Sequence, residues 1–147
     1  MYGEKGLRFL QIKTLGGDRI IFLKGNLVQA ATSTPEALQM THNQFIDSQY
    51  LVPEDFINHS CSPNIKLDVA KRWFIAIKDI KKNSEITFNY CTTEWDMRGY
   101  GTDFLCRCGS PKCYGHVRGF KYLTKEQRRK LKSMLSPFLL EKINDKN

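Results

Sequence analysis

Asn58-His59-Ser60-Cys61-Ser62-Pro63-Asn64 stands near the middle of the chain, and its reading decides the fold. Ser62-Pro63-Asn64 is a turn signature, so the stretch sits on a sharp bend, where backbone amides and carbonyls can grip a ligand. Two further stretches follow it: Glu85-Ile86-Thr87-Phe88-Asn89-Tyr90, a short β-prone run, and Cys106-x-Cys108-x4-Cys113. Taken singly, each has a plain reading. A lone histidine is more often a core or surface residue, and a strand tyrosine a half-buried aromatic. Order and spacing together carry the signal.

The chain has 147 residues, enough for one domain with a core that does not depend on disulfides. Its 41% hydrophobic and 12% aromatic content is that of an ordinary globular protein. No apolar run approaches the ~20 residues that cross a bilayer, and Met1-Tyr2-Gly3-Glu4-Lys5 lacks a signal-type apolar segment. A cytoplasmic or nuclear-type compartment without membrane contact is therefore expected. The net charge of +8 is compatible with an acidic partner such as nucleic acid.

The first third reads as short strands broken by turns: 7–12, then Gly16-Gly17-Asp18, a buried-type strand at 19–23, Gly25-Asn26 and a strand at 27–31. Pro35 and 41–44 mark loops, and 45–51 is a further strand. After the bend, 65–69 and 72–77 form a hairpin around Ala70-Lys71. Residues 79–84 read as a polar turn, 86–90 as a strand and 92–103 as loop. Thr124-Lys125-Glu126-Gln127 matches a capping box, followed by Leu131, Met134 and Leu135 at helical spacing. Pro137 interrupts, and 138–143 forms a second short helix. The basic residues Lys125, Arg128, Arg129, Lys130 and Lys132 form the solvated face of the last helical segment, which is also the surface for any nucleic-acid contact.

Five cysteines include three within eight positions. In a reducing compartment such clustering points to metal ligation rather than disulfides. Tetrahedral structural zinc takes four ligands, so a fourth is needed. The sequence offers His116, Cys61 and Cys91.

In order and spacing the three stretches resemble the SET-domain protein methyltransferases that carry a zinc-binding post-SET tail. The likeness extends from about Arg19 to Leu123. It implies a mostly β fold with short helices: small curved sheets, a C-terminal segment threaded as a pseudoknot, and here a helical C-terminal tail. The parts are a SET domain at 1–103, a post-SET zinc segment at 104–123 and a basic helical tail at 124–147. In that family the cysteine of the Asn-His-x-Cys motif completes the zinc site, which selects Cys61 with Cys106, Cys108 and Cys113. Asn58 and His59 are implied to contact S-adenosylmethionine, with Phe104 packing on its adenine. The family usually opens on Gly-x-Gly; Gly3-Glu4-Lys5-Gly6 departs from that spacing and leaves Gly6 as the residue of close approach to the cofactor.

The resemblance implies a lysine N-methyltransferase with Tyr90 as the active-site tyrosine. A lysine near pH 7 must lose a proton before attack, on the order of 4–5 kcal/mol from its ordinary pKa. An apolar aromatic channel beside a sulfonium lowers that pKa, and in-line alignment supplies further acceleration. Phe88 is two residues before Tyr90 on the same strand face; the resemblance implies that it lines the lysine channel, where a phenylalanine favours di- or trimethylation, and Leu67 is a second candidate wall. Glu85 reads as structural. The partner is a protein presenting a lysine, such as a histone or another basic tail. Acidic residues to receive it are scattered: Asp47, Glu54, Asp55 and Asp68. The competing readings are a catalytically inactive SET-like module that binds protein or nucleic acid, a zinc-ribbon binder, and a cysteine–histidine hydrolase using His59 and Cys61.

Overall fold

The computed structural model of the chain describes residues 13–145. The strand expected at 7–12 and Gly6 lie outside the described residues. Among the described residues five short strands precede the bend, β1 (Lys13–Thr14), β2 (Arg19–Phe22), β3 (Asn26–Gln29), β4 (Leu38–Gln39) and β5 (Gln44–Asp47), and β6 (Asn58–His59) opens it. Six follow it: β7 (Ile65–Asp68), β8 (Trp73–Ala76), β9 (Ile80–Lys81), β10 (Thr87–Phe88), β11 (Phe104–Leu105) and β12 (His116–Val117). Helices α1 (Lys125–Leu131) and α2 (Pro137–Asn144) close the described chain.

These strands form small sheets in the orders β2-β8-β7, β3-β5-β4, β1-β9, β10-β6 and β11-β12. The expected hairpin is β7–β8, paired from Ile65 against Ala76 to Asp68 against Trp73. Its faces follow the two-residue period of a strand: Ile65, Leu67, Phe74 and Ala76 are buried, while their neighbours stay partly exposed. β2 was expected to be buried; instead it is an edge strand of that sheet, and Phe22 turns outward against Trp73 with ring centroids 5.5 Å apart. The 79–84 stretch is not merely a turn. Ile80 is buried and pairs with Thr14 in β1–β9, a strand too short for any periodicity to reveal.

Two cores result. Ile46, Ile57, Ile65, Phe74, Ile86 and Phe88 belong to the first. Met97, Val117, Phe120, Leu131, Phe138 and Leu139 belong to the second, so the helical segment packs as its cover. Tyr90 packs against both.

The helix starts are locally determined. Thr124 Oγ1 accepts from the Gln127 N–H, and Gln127 Oε1 accepts from the Thr124 N–H, completing the capping box. Ser136 caps α2, and Pro137 occupies its first turn, where a missing N–H leaves no helical bond unmade. Gly119 has φ near +105°, and a Cβ there would lie 2.6 Å from the Trp95 carbonyl oxygen. This close approach lets Phe120 and Lys121 donate to the carbonyls of Glu94 and Trp95, joining the end of the chain to the segment after Tyr90.

Candidate active site and thiol cluster

The bend at 58–64 is held by Asn64. Its side chain accepts from the Thr87 N–H at 2.9 Å and donates to the Glu85 carbonyl at 2.8 Å, while its own N–H donates to the Thr87 carbonyl at 3.1 Å. Asn58 Nδ2 donates to Glu85 Oε1 at 2.8 Å, which gives Glu85 a structural contact at this junction. β6 and β10 therefore pair in parallel, Thr87 opposite Asn58 and Phe88 opposite His59. The pairing delivers Tyr90 to the bend. Its hydroxyl donates to the Ile57 carbonyl at 2.7 Å, and its N–H donates to His59 Nδ1 at 3.1 Å.

That second bond sets the state of His59. His59 is 7% exposed, and burial pushes its pKa down to about 3, so the ring is neutral. With Nδ1 accepting, the ring proton sits on Nε2, which faces Cys61 Sγ at 3.2 Å. Both ring nitrogens are thus committed within the protein, leaving the ring faces and backbone for contact with a ligand. Phe104 on β11 meets His59 and Tyr90 edge-on, with centroids 5.6 and 5.9 Å apart.

Aromatic packing continues through Phe88, whose ring centroid lies 4.8 Å from that of Tyr90 and 5.2 Å from that of Phe74. Phe74, Phe88 and Tyr90 border one cavity of about 230 Å³. Leu67 does not border it; it is buried in the first core on β7, opposite Phe74 in register. Phe74, its partner on β8, borders the cavity instead, and the inward alternation of β8 was the available signal. Glu54 and Asp55 also border the cavity, whereas Asp47 is engaged by Thr34 and Gln49, and Asp68 by Lys71. Glu94, which sequence reasoning left in a loop, borders it as well and accepts from the Gln39 N–H.

The sulfurs of Cys61, Cys106, Cys108 and Cys113 all lie within 4.8 Å of one another. Zn–S bonds of about 2.3 Å in a tetrahedron give S···S edges of about 3.8 Å; Cys61 and Cys106 sulfurs are 3.8 Å apart. Backbone donors face these sulfurs: Tyr114 N–H on Cys61 at 3.3 Å and Gly115 N–H on Cys113 at 3.4 Å. Burial raises the Cys108 thiol, but the N–H groups of Cys61 and Ser110 and its thiol neighbours outweigh it and bring the pKa down to about 7. Burial pushes Cys61 strongly up, the direction a bound dication reverses. The donor set fits zinc. The other two candidates for the fourth position lie elsewhere: His116 pairs with Asp103 at 2.8 Å on the surface, and Cys91 is buried in the second core.

A family model described as the SET domain matches residues 11–91. The chain belongs to the SET-domain family. Over 66 residues it is 38% identical to Methyltransferase flvH of Aspergillus flavus, covering 44% of this chain and 35% of that protein. Over 69 residues it is 43% identical to an H3 lysine-4 specific histone-lysine N-methyltransferase of Emericella nidulans, covering 42% of this chain and 5% of the relative. Identity to the H3 lysine-9 specific histone-lysine N-methyltransferase dim-5 of Neurospora crassa is 33% over 90 residues, 49% of this chain and 27% of that one. The SET chain described here thus matches a minor part of each relative's length. Among solved structures, KRYPTONITE in complex with mCHG DNA and SAH aligns with a TM-score of 0.58 at 20% identity, over 71% of this chain and 25% of that one. At that identity the likeness speaks for the SET fold.

Proposed function

We propose that this SET domain transfers methyl from S-adenosylmethionine to a lysine side chain of a protein substrate. The observation that carries the reading is the placement of Tyr90: it is anchored to Ile57 and His59, packed on both cores and open to an aromatic-walled cavity. The relatives named as histone-lysine methyltransferases agree with it, and a histone tail is a substrate of suitable chemistry.

S-adenosylmethionine supplies an electrophilic methyl on a sulfonium. Asn58, the His59 backbone and ring face, and Phe104 form the cofactor side, with Gly6 assigned to it from sequence. Phe88 and Phe74 wall the lysine channel; their apolar rings desolvate an entering ammonium and lower its pKa. The Tyr90 hydroxyl has its proton committed to the Ile57 carbonyl. Toward a substrate the oxygen acts as an acceptor, suited to orienting an electron-poor methyl or an amine rather than to releasing a proton. Cys61, Cys106, Cys108 and Cys113 hold one structural zinc, a site with no open position and no part in the chemistry. Lys125, Arg129 and Lys132 remain exposed on α1 and its continuation, and this is the face for any phosphate-backbone contact.

Calorimetry with S-adenosylmethionine, followed by mass spectrometry of histones and lysate proteins incubated with the chain, tests the reading. Binding and a lysine mass gain of one or more methyl groups are expected. Absence of cofactor binding at millimolar concentration overturns it.

A further inference from the structure

The cavity beside Phe88 and Tyr90 is chemically one-sided. Glu36, Glu54, Asp55 and Glu94 are among the residues that border it, and among the described residues no lysine, arginine or histidine does, in a chain of net charge +8. Asp55 accepts from the Val52 N–H at 2.8 Å, and Glu94 is engaged by Gln39 and Thr93. Glu54 differs. It is only 5% exposed; Oε1 accepts from the Lys24 N–H at 2.7 Å, but Oε2 is buried with no hydrogen-bond partner among the described residues. Leaving such an oxygen unsatisfied is destabilising, and native structures rarely retain one without a use.

We propose that Glu54 receives a second basic side chain of the protein substrate, an arginine or lysine flanking the lysine that is methylated. This assignment rests on the methyl-transfer reading above. The acceptor lysine is the wrong occupant, because a carboxylate beside it favours the ammonium, whereas attack requires the neutral amine. A flanking arginine or lysine keeps its charge throughout, so the same carboxylate binds it without opposing the reaction. A charge-assisted hydrogen bond to Oε2 satisfies the orphaned atom.

The test uses the zinc-loaded full chain and fluorescein-labelled peptides with one lysine in a Gly/Ser/Ala background. Each flanking position in turn carries arginine, lysine, citrulline or alanine. Anisotropy reports affinity, and mass spectrometry reports methyl transfer. At one position, arginine or lysine is expected to bind at least about tenfold more tightly than citrulline or alanine, and E54Q to bring that ratio below about twofold. A wild-type ratio near one at every position overturns the assignment without any variant, as does a natively folded E54Q that keeps the full ratio. Charge-selective binding without methyl transfer retains the subsite and overturns the activity. Methyl transfer indifferent to flanking charge does the reverse.

Discussion

His59 Nε2 lies 3.2 Å from the sulfur of Cys61, while Nδ1 of the same ring receives the backbone N–H of Tyr90. One neutral imidazole therefore spans the proposed catalytic tyrosine and the thiol cluster. Cys61→Ser removes a metal ligand and puts a hydroxyl oxygen in place of the sulfur that faces His59. Zinc content by plasma mass spectrometry after chelator challenge is expected to fall from one per chain to a small fraction in this variant. His116→Ala, which loses only the Asp103 contact, keeps its zinc. The opposite ranking would refute the ligand set.

Tyr90→Phe deletes the hydroxyl that holds Ile57 while preserving the ring between the two cores. Zinc and S-adenosylmethionine binding persist, and kcat falls by about 10²-fold, the scale of a misplaced reacting group. A variant with parental kcat removes Tyr90 from the mechanism.

Phe88 is 4% exposed and packed between Phe74 and Tyr90. Phe88→Tyr adds an oxygen to the channel wall and narrows it. Tandem mass spectrometry of the product peptide is expected to show a shift from di- and trimethyl-lysine toward monomethyl-lysine. An unchanged distribution argues that another residue sets the channel width.

Enclosure beside Gln39 and Thr93 pushes the Glu94 carboxyl up from its ordinary 4.5 to about 7. Unfolded, this group ionises near 4.5; folded, it holds its proton to about pH 7. Between those values the folded chain binds the extra proton, so stability falls as pH rises through the window. The difference corresponds to about 3 kcal/mol, complete above the folded value. Glu94→Gln keeps an acceptor for the Gln39 N–H. It is expected to raise the urea midpoint at pH 8 and leave it nearly unchanged at pH 4.5; equal midpoints at pH 8 contradict the burial effect.

Gly119→Ala forces an L-residue into positive φ and drives a methyl against the Trp95 carbonyl. A loss of at least about 1–3 kcal/mol is expected from backbone strain and displaced packing, read as a lower melting temperature. A melting curve matching the parent shows that the approach can relax.

Residues 58–64, 85–90 and 106–113 were legible in sequence because motif order specifies the chemistry there, and the capping box at Thr124 because its two bonds are local. The contacts among these stretches were less so. Gln39 and Glu94 are 55 residues apart, and nothing in either neighbourhood names the other. Ile80 lies in a polar run, and a two-residue strand has no period to detect. Leu67 and Phe74 both alternate inward, so only the pairing of β7 with β8 and the curvature of the sheet decide which one reaches the cavity. The orphaned oxygen of Glu54 is a tertiary fact altogether, set by what surrounds it.

Tyr90 depends on a second core whose last buried members, Phe138 and Leu139, come about fifty residues later in the chain. Synthesis proceeds from the other end. Asn58, His59 and Tyr90 leave the ribosome before Cys113 can close the thiol cluster and before α2 can cover the core. A nascent chain therefore carries every residue of the site without the site itself. For that interval the order of synthesis, and not the sequence of the site, withholds the geometry around Tyr90.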